Sequence, residues 1–174
     1  MGMPAIESPG FAGFVATLWR GWLWATGGHE IDRVAPSVYV GSIAAAADAE
    51  VLAEHGITHV VAATQFGDAA RFHPDRVVYH VVTIDDIVWA NISPAFVDTA
   101  AFIQNAVRNG GRVLVHCNAG RSRSVSLVVA WMLLHVPGVT TVEQALALIR
   151  AHRPEALPNP SFVRQLKALE AGSR

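Results

Sequence analysis

The apolar positions from about residue 38 onward alternate between short β-branched runs and longer stretches with helical spacing. Short runs of this kind are typical of buried strands, and the longer pattern is typical of helices that pack one face on a sheet. The predicted strands are Val38–Val40, Ile57–Ala63, Val77–Thr83 and Arg112–His116. The predicted helices are Ile43–His55, Pro94–Arg108, Val125–His135, Val142–Ala151 and Phe162–Ala171.

Residues with strong preferences for helix ends mark several of these boundaries. Gly56 stands where a helix C-terminus favours a left-handed residue, and Ser93 is predicted to cap the helix that begins at Pro94. Either Thr140 or Thr141 can cap the helix that begins at Val142. Strands that alternate with helices predict an α/β fold: a central, mostly parallel twisted sheet of four to five strands flanked by helices.

The first part of the chain has a different pattern. Apolar residues between Phe11 and Ala25 recur at helical spacing, which predicts an amphipathic helix. We expect it to dock on the domain; contact with a membrane surface is the alternative, although interfacial helices usually carry more positive charge. The stretch is shorter than the ~20 residues that span a bilayer, and no secretory signal precedes it. We therefore predict an N-terminal extension, residues 1–30, followed by one domain, residues 31–174.

Composition narrows the functional classes. With 13 basic and 14 acidic residues among 174, the net charge is −1, which gives no indication of a nucleic-acid surface. The single cysteine excludes an internal disulfide and fits a reducing compartment, so we expect a cytoplasmic protein, with peripheral membrane association as the alternative. His55 and His59 lack a zinc-binding pattern, and no metal or cofactor is expected. The oligomeric state is left open.

The strand that ends at His116 leads into a short loop and then a helix. Cys117 and Arg123 bound this segment, the 117–123 loop, with five residues between them. Ligands of parallel α/β sheets bind at the carboxyl ends of strands. A tight loop ahead of a helix can turn several backbone N–H groups inward, and the positive end of the helix dipole strengthens their attraction for an anion. Gly120 supplies the backbone freedom that such a turn needs.

A thiol at the base of this loop would be activated by the groups that bind the anion. Free cysteine titrates near ~8.5, and such surroundings lower its pKa by several units. Arg123 offers a planar fork that matches two phosphate oxygens. Ser124 can donate a hydrogen bond to the sulfur, whereas His116 is expected to orient the loop rather than take a substrate proton. An inert buried cysteine would explain Cys117 alone, but not its neighbours at these spacings.

The segment His116–Ser124, His-Cys-Asn-Ala-Gly-Arg-Ser-Arg-Ser, resembles the signature loop of the dual-specificity phosphatases in the protein-tyrosine-phosphatase superfamily. Weaker similarity covers Pro36–Ser42, Gly56–Val61 and Arg153–Leu166, hence most of the chain. The resemblance implies a phosphatase-type fold in which Cys117 is the nucleophile. It also implies that the 117–123 loop holds the substrate phosphate through Asn118, Ala119, Gly120, Arg121, Ser122 and Arg123, with the Arg121 side chain pointing outward.

A thiolate attack on a phosphate ester needs a general acid for the leaving oxygen. The resemblance implies an aspartate on a loop ahead of a helix, and Asp85 and Asp86 both stand there. Asp86 matches the family position better by its spacing to the helix that carries Phe96. Because neighbouring residues project differently, we expect only one of the two to reach the leaving group. The same carboxylate would later activate the water that hydrolyses the cysteinyl-phosphate.

Two substrate classes fit the sequence. No insertion deepens the site for phosphotyrosine alone, so we expect action on phosphotyrosine and phosphoserine or phosphothreonine of proteins. The loop is also similar to that of the phosphatidylglycerophosphate phosphatases, and Trp19–Gly21 and Ile31–Arg33 resemble their N-terminal region. A phospholipid phosphatase, including one acting on phosphoinositides, is therefore the alternative. The apolar residues Ile87–Trp89 can form a lip that meets either an acyl chain or a peptide side chain.

Two further readings come from other functional classes. A rhodanese-type sulfurtransferase also carries a cysteine loop at a strand end, but it has no need of Arg123 followed by Ser124 or of an aspartate on a separate loop. A catalytically inactive phosphate-binding module is the second. The presence of Cys117, Arg123 and an aspartate together argues against it.

Overall fold

Five strands form a single sheet in the computed structural model, which describes residues 31–172. Their order is β1-β2-β5-β3-β4, where β1 is Ile31–Ala35, β2 Val38–Gly41, β3 His59–Thr64, β4 Val78–Thr83 and β5 Val113–His116. The pairs β2–β5, β5–β3 and β3–β4 are parallel, and β1 pairs antiparallel with β2. The prediction of a mostly parallel sheet is confirmed. The predicted N-terminal extension and its helix lie outside the described residues.

Six helices flank the sheet within residues 31–172. They are α1 (Ile43–Ala47), α2 (Ala49–Glu54), α3 (Phe96–Arg108), α4 (Arg123–His135), α5 (Val142–Arg150) and α6 (Pro160–Gly172). Short 3₁₀ turns occur at Gly67–Ala70 and Ser93–Ala95. Helix α4 is the centre of the packing, because every residue from Arg123 to Met132 is buried. No helix among the described residues is long and apolar enough to cross a bilayer.

The alternation of side chains along the strands divides the core into two parts. Val113 and Val115 of β5 face the larger part, which also contains the buried faces of α3, α4, α5 and α6. Leu114, between them, faces the smaller part with Leu52 of α2. Because successive side chains of a strand point to opposite faces, a continuous apolar run serves both parts at once.

The predicted helix Ile43–His55 is wrong as one element, since it is two helices that meet at Asp48. Asp48 has extended backbone angles, and its carboxylate accepts hydrogen bonds from the backbone N–H groups of Glu50 and Val51 at 2.9 and 3.4 Å. When a short acidic side chain caps the following turn, its hydrogen bonds compete with those of a continuous helix. Apolar periodicity alone does not reveal such a break.

One strand and one helix cap differ from the predictions, and one open choice of cap is resolved. Strand β1 was missed, and Ile31–Arg33, compared above with a lipid-phosphatase N-terminal region, is part of it. Ser93 is not the cap of α3, because its hydroxyl donates to Asn91 and α3 begins at Phe96, after a 3₁₀ turn. Of the two threonine candidates, Thr141 caps α5, in a reciprocal capping box with Gln144.

The position of β5 in the sheet places the 117–123 loop between two other loops. His116, the last residue of β5, pairs with Gly41 of β2 on one side and with Ala62 of β3 on the other. The carboxyl ends of β2, β3, β4 and β5 lie at one edge because these strands are parallel. The segments that follow β3 and β4 therefore approach the loop that follows β5.

Candidate active site

The 117–123 loop is held on both sides by backbone hydrogen bonds. The N–H of Ile43 donates to the carbonyl of Asn118 at 3.1 Å, and the N–H of Leu157 donates to the carbonyl of Arg121 at 2.8 Å. Cys117, at the base of the loop, is 2% exposed. The loop is thus a fixed part of the domain, with the thiol at its floor.

Gly120 is required at the turn of this loop for a steric reason. Its φ is +68°, in the left-handed region. A Cβ at this position would lie 2.6 Å from the carbonyl oxygen of Gly41 and 2.7 Å from a guanidinium nitrogen of Arg153. Both distances are shorter than any ordinary contact, so no larger residue fits without moving the backbone of the loop.

The surroundings of Cys117 favour its thiolate. The hydroxyl of Ser124 donates to Sγ at 3.3 Å. Burial, the largest single effect, raises the pKa of the Cys117 thiol. Hydrogen bonds from the Ser124 hydroxyl and from the backbone N–H groups of Ser124 and Arg121, with the Arg123 charge, together outweigh burial and hold the pKa below its ordinary value. The site can therefore keep a nucleophilic sulfur in a water-poor position.

One nitrogen of the Arg123 guanidinium donates hydrogen bonds to the protein, and another nitrogen lacks a hydrogen-bond partner among the described residues. Nη1 donates to Oε1 of Gln65 at 3.1 Å and to the carbonyl of Ile84 at 3.2 Å. Nε is buried and has no hydrogen-bond partner among residues 31–172. The nearest carboxylate oxygen, Oδ2 of Asp86, lies 3.8 Å from it, beyond hydrogen-bond distance. A buried donor beside the thiol is suited to an anionic ligand.

Asp86 and Asp85 occupy different environments. Oδ1 of Asp86 accepts from the Ser122 hydroxyl at 2.8 Å and from Nδ2 of Asn159 at 2.9 Å, which places the carboxylate against the 117–123 loop. Both residues are exposed, but Asp85 lines an open hollow with Gln65 and other residues of the loops after β3 and β4. The geometry supports Asp86 as the general acid, which stays a prediction. The Ser122 side chain binds this aspartate, so only its backbone N–H is available for phosphate.

His116 is fully buried below the loop. Its Nδ1 lies 3.4 Å from the carbonyl oxygen of Cys117. Burial, assisted by the charge of Arg123 and opposed by that carbonyl, lowers the pKa of His116 to about 4. The imidazole is therefore neutral near pH 7, which suits an orienting role and not proton transfer from the substrate.

The buried histidine predicts a specific acid sensitivity. The ordinary histidine pKa is 6.5 and that of folded His116 is about 4, so between these values the unfolded chain binds a proton that the folded chain does not. The free energy of unfolding should therefore fall as the pH drops, by about 2 kcal/mol for this group from about pH 7 to about pH 5. Urea unfolding of wild type and His116→Gln at both pH values measures it. If the free energy of unfolding depends on pH identically in the two proteins, the lowered pKa of His116 is contradicted.

Residues 38–171 match the family described as dual specificity phosphatase, catalytic domain. The chain belongs to this family. Dual specificity protein phosphatase 1 of Arabidopsis thaliana is 43% identical over 133 residues, which cover 76% of this chain and 65% of that protein. Dual specificity protein phosphatase 1B of the same plant is 36% identical over 145 residues, 83% of this chain and 84% of that protein. The chain thus spans just under two thirds of the first relative.

Solved structures agree with this dual-specificity phosphatase fold. The human tyrosine phosphatase-like serine/threonine/tyrosine-interacting protein superposes with a TM-score of 0.76 at 32% identity, over 83% of this chain and 97% of that one. A structure of PTPMT1 in complex with PI(5)P superposes with a TM-score of 0.69 at 18% identity, over 82% of this chain and 96% of that one. At that identity the second likeness shows a shared fold and does not extend to the ligand.

Two contributors to this phosphatase site were absent from the predicted site residues. Gln65 follows β3 at the sheet edge to which the 117–123 loop belongs, and that topological position was the available signal. Arg153 follows α5 and donates to two carbonyl groups of the 117–123 loop. It opens the segment Arg153–Leu166, whose resemblance to the dual-specificity phosphatases was the available signal, but no role in the site was assigned to it. Arg121 is exposed as expected, and its Nε donates to the carbonyl of Glu155 at 3.3 Å.

Proposed function

We propose that the protein is a phosphoric monoester hydrolase of the dual-specificity protein phosphatase type, which dephosphorylates phosphotyrosine and phosphoserine or phosphothreonine through a cysteinyl-phosphate. The observation that carries the proposal is a thiol of lowered pKa, Cys117, that feels the charge of Arg123, whose buried Nε has no hydrogen-bond partner among residues 31–172. One group supplies the nucleophile, and the other supplies the charge that receives the phosphate oxygens.

In the first chemical step, the Cys117 thiolate attacks phosphorus as the bond to the ester oxygen breaks. Asp86 gives a proton to that oxygen, so the product leaves as a neutral alcohol or phenol. Arg123 and the inward N–H groups of the loop stabilise the charge on the three remaining oxygens, which spreads over them in the transition state. The result is a phosphorus–sulfur bond and an ionised Asp86.

In the second step, the Asp86 carboxylate takes a proton from water, whose oxygen attacks phosphorus. The phosphorus–sulfur bond breaks, and inorganic phosphate and the Cys117 thiolate are released. Ser124 already donates a hydrogen bond to the sulfur, and this bond stabilises the departing thiolate. Asp86 regains the proton that it gave away, so the cycle closes without a metal ion or cofactor in either step.

The substrate class rests on the relatives and on the rim of the site. The two Arabidopsis relatives are named dual specificity protein phosphatases, which supports phosphoproteins. Val88 and Trp89, on the turn that follows Asp86, are 56% and 80% exposed. Side chains this exposed at the rim can contact the apolar residues that flank a phosphorylated residue in a peptide. Phospholipid substrates are the second candidate, because the same exposed side chains can contact an acyl chain.

A substrate panel tests the proposal directly. Purified protein is assayed with p-nitrophenyl phosphate, with peptides phosphorylated on tyrosine, serine or threonine, and with phosphatidylglycerophosphate and phosphoinositide micelles. We expect turnover of all three phosphopeptides at kcat/KM values above those for the lipids. If kcat/KM is higher for a lipid than for the phosphopeptides, the protein is a phospholipid phosphatase instead. Thiosulfate sulfurtransfer without phosphatase activity would indicate a rhodanese-type enzyme, and phosphate binding without turnover an inactive module.

The remaining partner and location predictions belong to this proposal as well. A cytoplasmic enzyme without nucleic-acid partners fits the charge and the single cysteine. Peripheral membrane contact through residues 11–25 is the alternative to docking of that segment. A vesicle co-sedimentation assay with and without residues 1–30 distinguishes the two.

A further inference from the structure

Arg153 is a buried arginine that binds the outer side of the 117–123 loop. It is 2% exposed. Its Nε donates to the carbonyl of Gly120 at 2.7 Å, and its Nη2 donates to the carbonyl of Ala119 at 3.1 Å. A guanidinium holds several donors in one rigid plane, so it can fix two successive peptide groups at once.

The charge of Arg153 is balanced by two carboxylates from different parts of the chain. Asp32, on strand β1, binds Nη1 in an ion pair. Glu155 binds Nη2 at 3.1 Å. A buried cation without partners would be strongly destabilising. These contacts therefore allow an arginine to remain beneath the loop, and Asp32 connects it to the edge of the sheet.

The carbonyl contacts of Arg153 determine where the loop's N–H groups point. The peptide bonds of residues 31–172 are trans, and in a trans peptide the N–H points opposite to the C=O of the same unit. The carbonyl of Gly120 shares its peptide unit with the N–H of Arg121. Because Arg153 holds that carbonyl outward, the N–H of Arg121 points inward, where it hydrogen-bonds the Cys117 sulfur.

We propose that Arg153 is a positioning residue for Cys117, which acts through the Gly120–Arg121 peptide and is itself held by Asp32. The inference rests on the proposed function, in which Cys117 is the nucleophile. Its side chain binds the carbonyls of Ala119 and Gly120 and the carboxylates of Asp32 and Glu155, so it acts on the sulfur only through the loop. It fixes the orientation of the inward N–H groups, and these stabilise the thiolate and the phosphate oxygens. Without it, those peptide groups can rotate and the sulfur loses a donor.

The test is a titration of the thiolate in Arg153→Met. Cys117 is the single cysteine of the chain, so the ultraviolet absorbance of the thiolate, with Cys117→Ser as the blank, reports this sulfur alone. Loss of one hydrogen bond to a charged group should raise the thiol pKa by about one unit, and the thiolate fraction below that pKa should fall about tenfold. The fall in kcat/KM should be largest at acidic pH and should diminish as the pH rises.

Arg112→Met is the matched control. Arg112 also donates to a backbone carbonyl, from Nη1 to that of His55 at 2.9 Å, and it lies just before β5, at the opposite end of the strand from the 117–123 loop. This variant should leave the Cys117 titration unchanged. An unchanged titration in Arg153→Met as well, or an equal shift in both variants, would overturn the proposal.

A second variant decides the question if Arg153→Met does not fold. Asp32→Asn leaves the buried arginine in place and removes a charge that holds it, so the thiol pKa should shift in the same direction by a smaller amount. No shift in a folded Asp32→Asn protein would overturn the proposal. The titration does not require turnover, so it can succeed or fail independently of the phosphatase assignment, which the substrate panel tests.

Discussion

Replacement of Cys117 by serine is expected to abolish turnover of p-nitrophenyl phosphate while binding of inorganic phosphate is retained. A serine hydroxyl at this position is not ionised at neutral pH, so the attack on phosphorus loses its nucleophile. The expected loss in kcat is on the order of 10⁴-fold or more. Arg123 and the inward N–H groups are unaltered in the variant, and they should still bind the phosphate dianion.

Two measurements together check this expectation. Steady-state assays give the rate, and isothermal titration with inorganic phosphate gives the affinity of the loop. The retained affinity acts as the control, because it shows that the 117–123 loop is folded in the inactive variant. A residual rate near that of the wild type would refute Cys117 as the nucleophile.

Removal of the Asp86 carboxylate is expected to have the second-largest effect, and that effect should depend on the leaving group. Asp86→Ala should lower kcat/KM about 10²- to 10⁴-fold for alkyl esters such as phosphoserine, because an alkoxide leaves poorly without a proton. The loss should be smaller for p-nitrophenyl phosphate, whose leaving group is stable as an anion. The slope of log kcat/KM against leaving-group pKa, measured with a series of aryl phosphates, should therefore become steeper, because kcat/KM does not include the hydrolysis step that all substrates share.

Asp85→Ala is the control for this experiment. Asp85 precedes Asp86 in the chain, carries the same side chain and is exposed. Its removal changes the net charge by the same amount, so electrostatic effects of charge alone are matched. We expect a nearly wild-type slope. If Asp85→Ala steepens the slope and Asp86→Ala does not, the choice between the two carboxylates is wrong.

Part of the site followed from the sequence because its residues are contiguous. His116, Cys117, Gly120, Arg123 and Ser124 stand on one strand, one turn and the start of one helix. Their relative positions depend on local backbone geometry, which spacing along the chain largely specifies. The hydroxyl of Ser124 on the sulfur is an example, since the two residues are separated by a single turn. Asp86 lies outside this contiguous segment, and the resemblance to the dual-specificity phosphatases led to its prediction as the general acid.

Other contacts of the site join residues that are distant in the chain. Gln65 holds Arg123 across 58 positions, and Asp32 binds Arg153 across 121. Asn159 reaches Asp86 across 73 positions. Such pairs depend on strand order and on the packing of loops at one edge of the sheet. The missed strand β1, which carries Asp32, shows how an edge element with a weak apolar pattern can still supply a charged partner.

The sequence by itself determined the strand–loop–helix unit that carries Cys117, the α/β class and the family resemblance, because each depends on local spacing or on apolar periodicity. The tertiary structure alone decided which nitrogen of Arg123 lacks a hydrogen bond, which aspartate lies against the loop and which buried arginine holds the loop's carbonyls outward. These properties arise from the sheet order β1-β2-β5-β3-β4. That order brings segments far apart in the chain within hydrogen-bond distance.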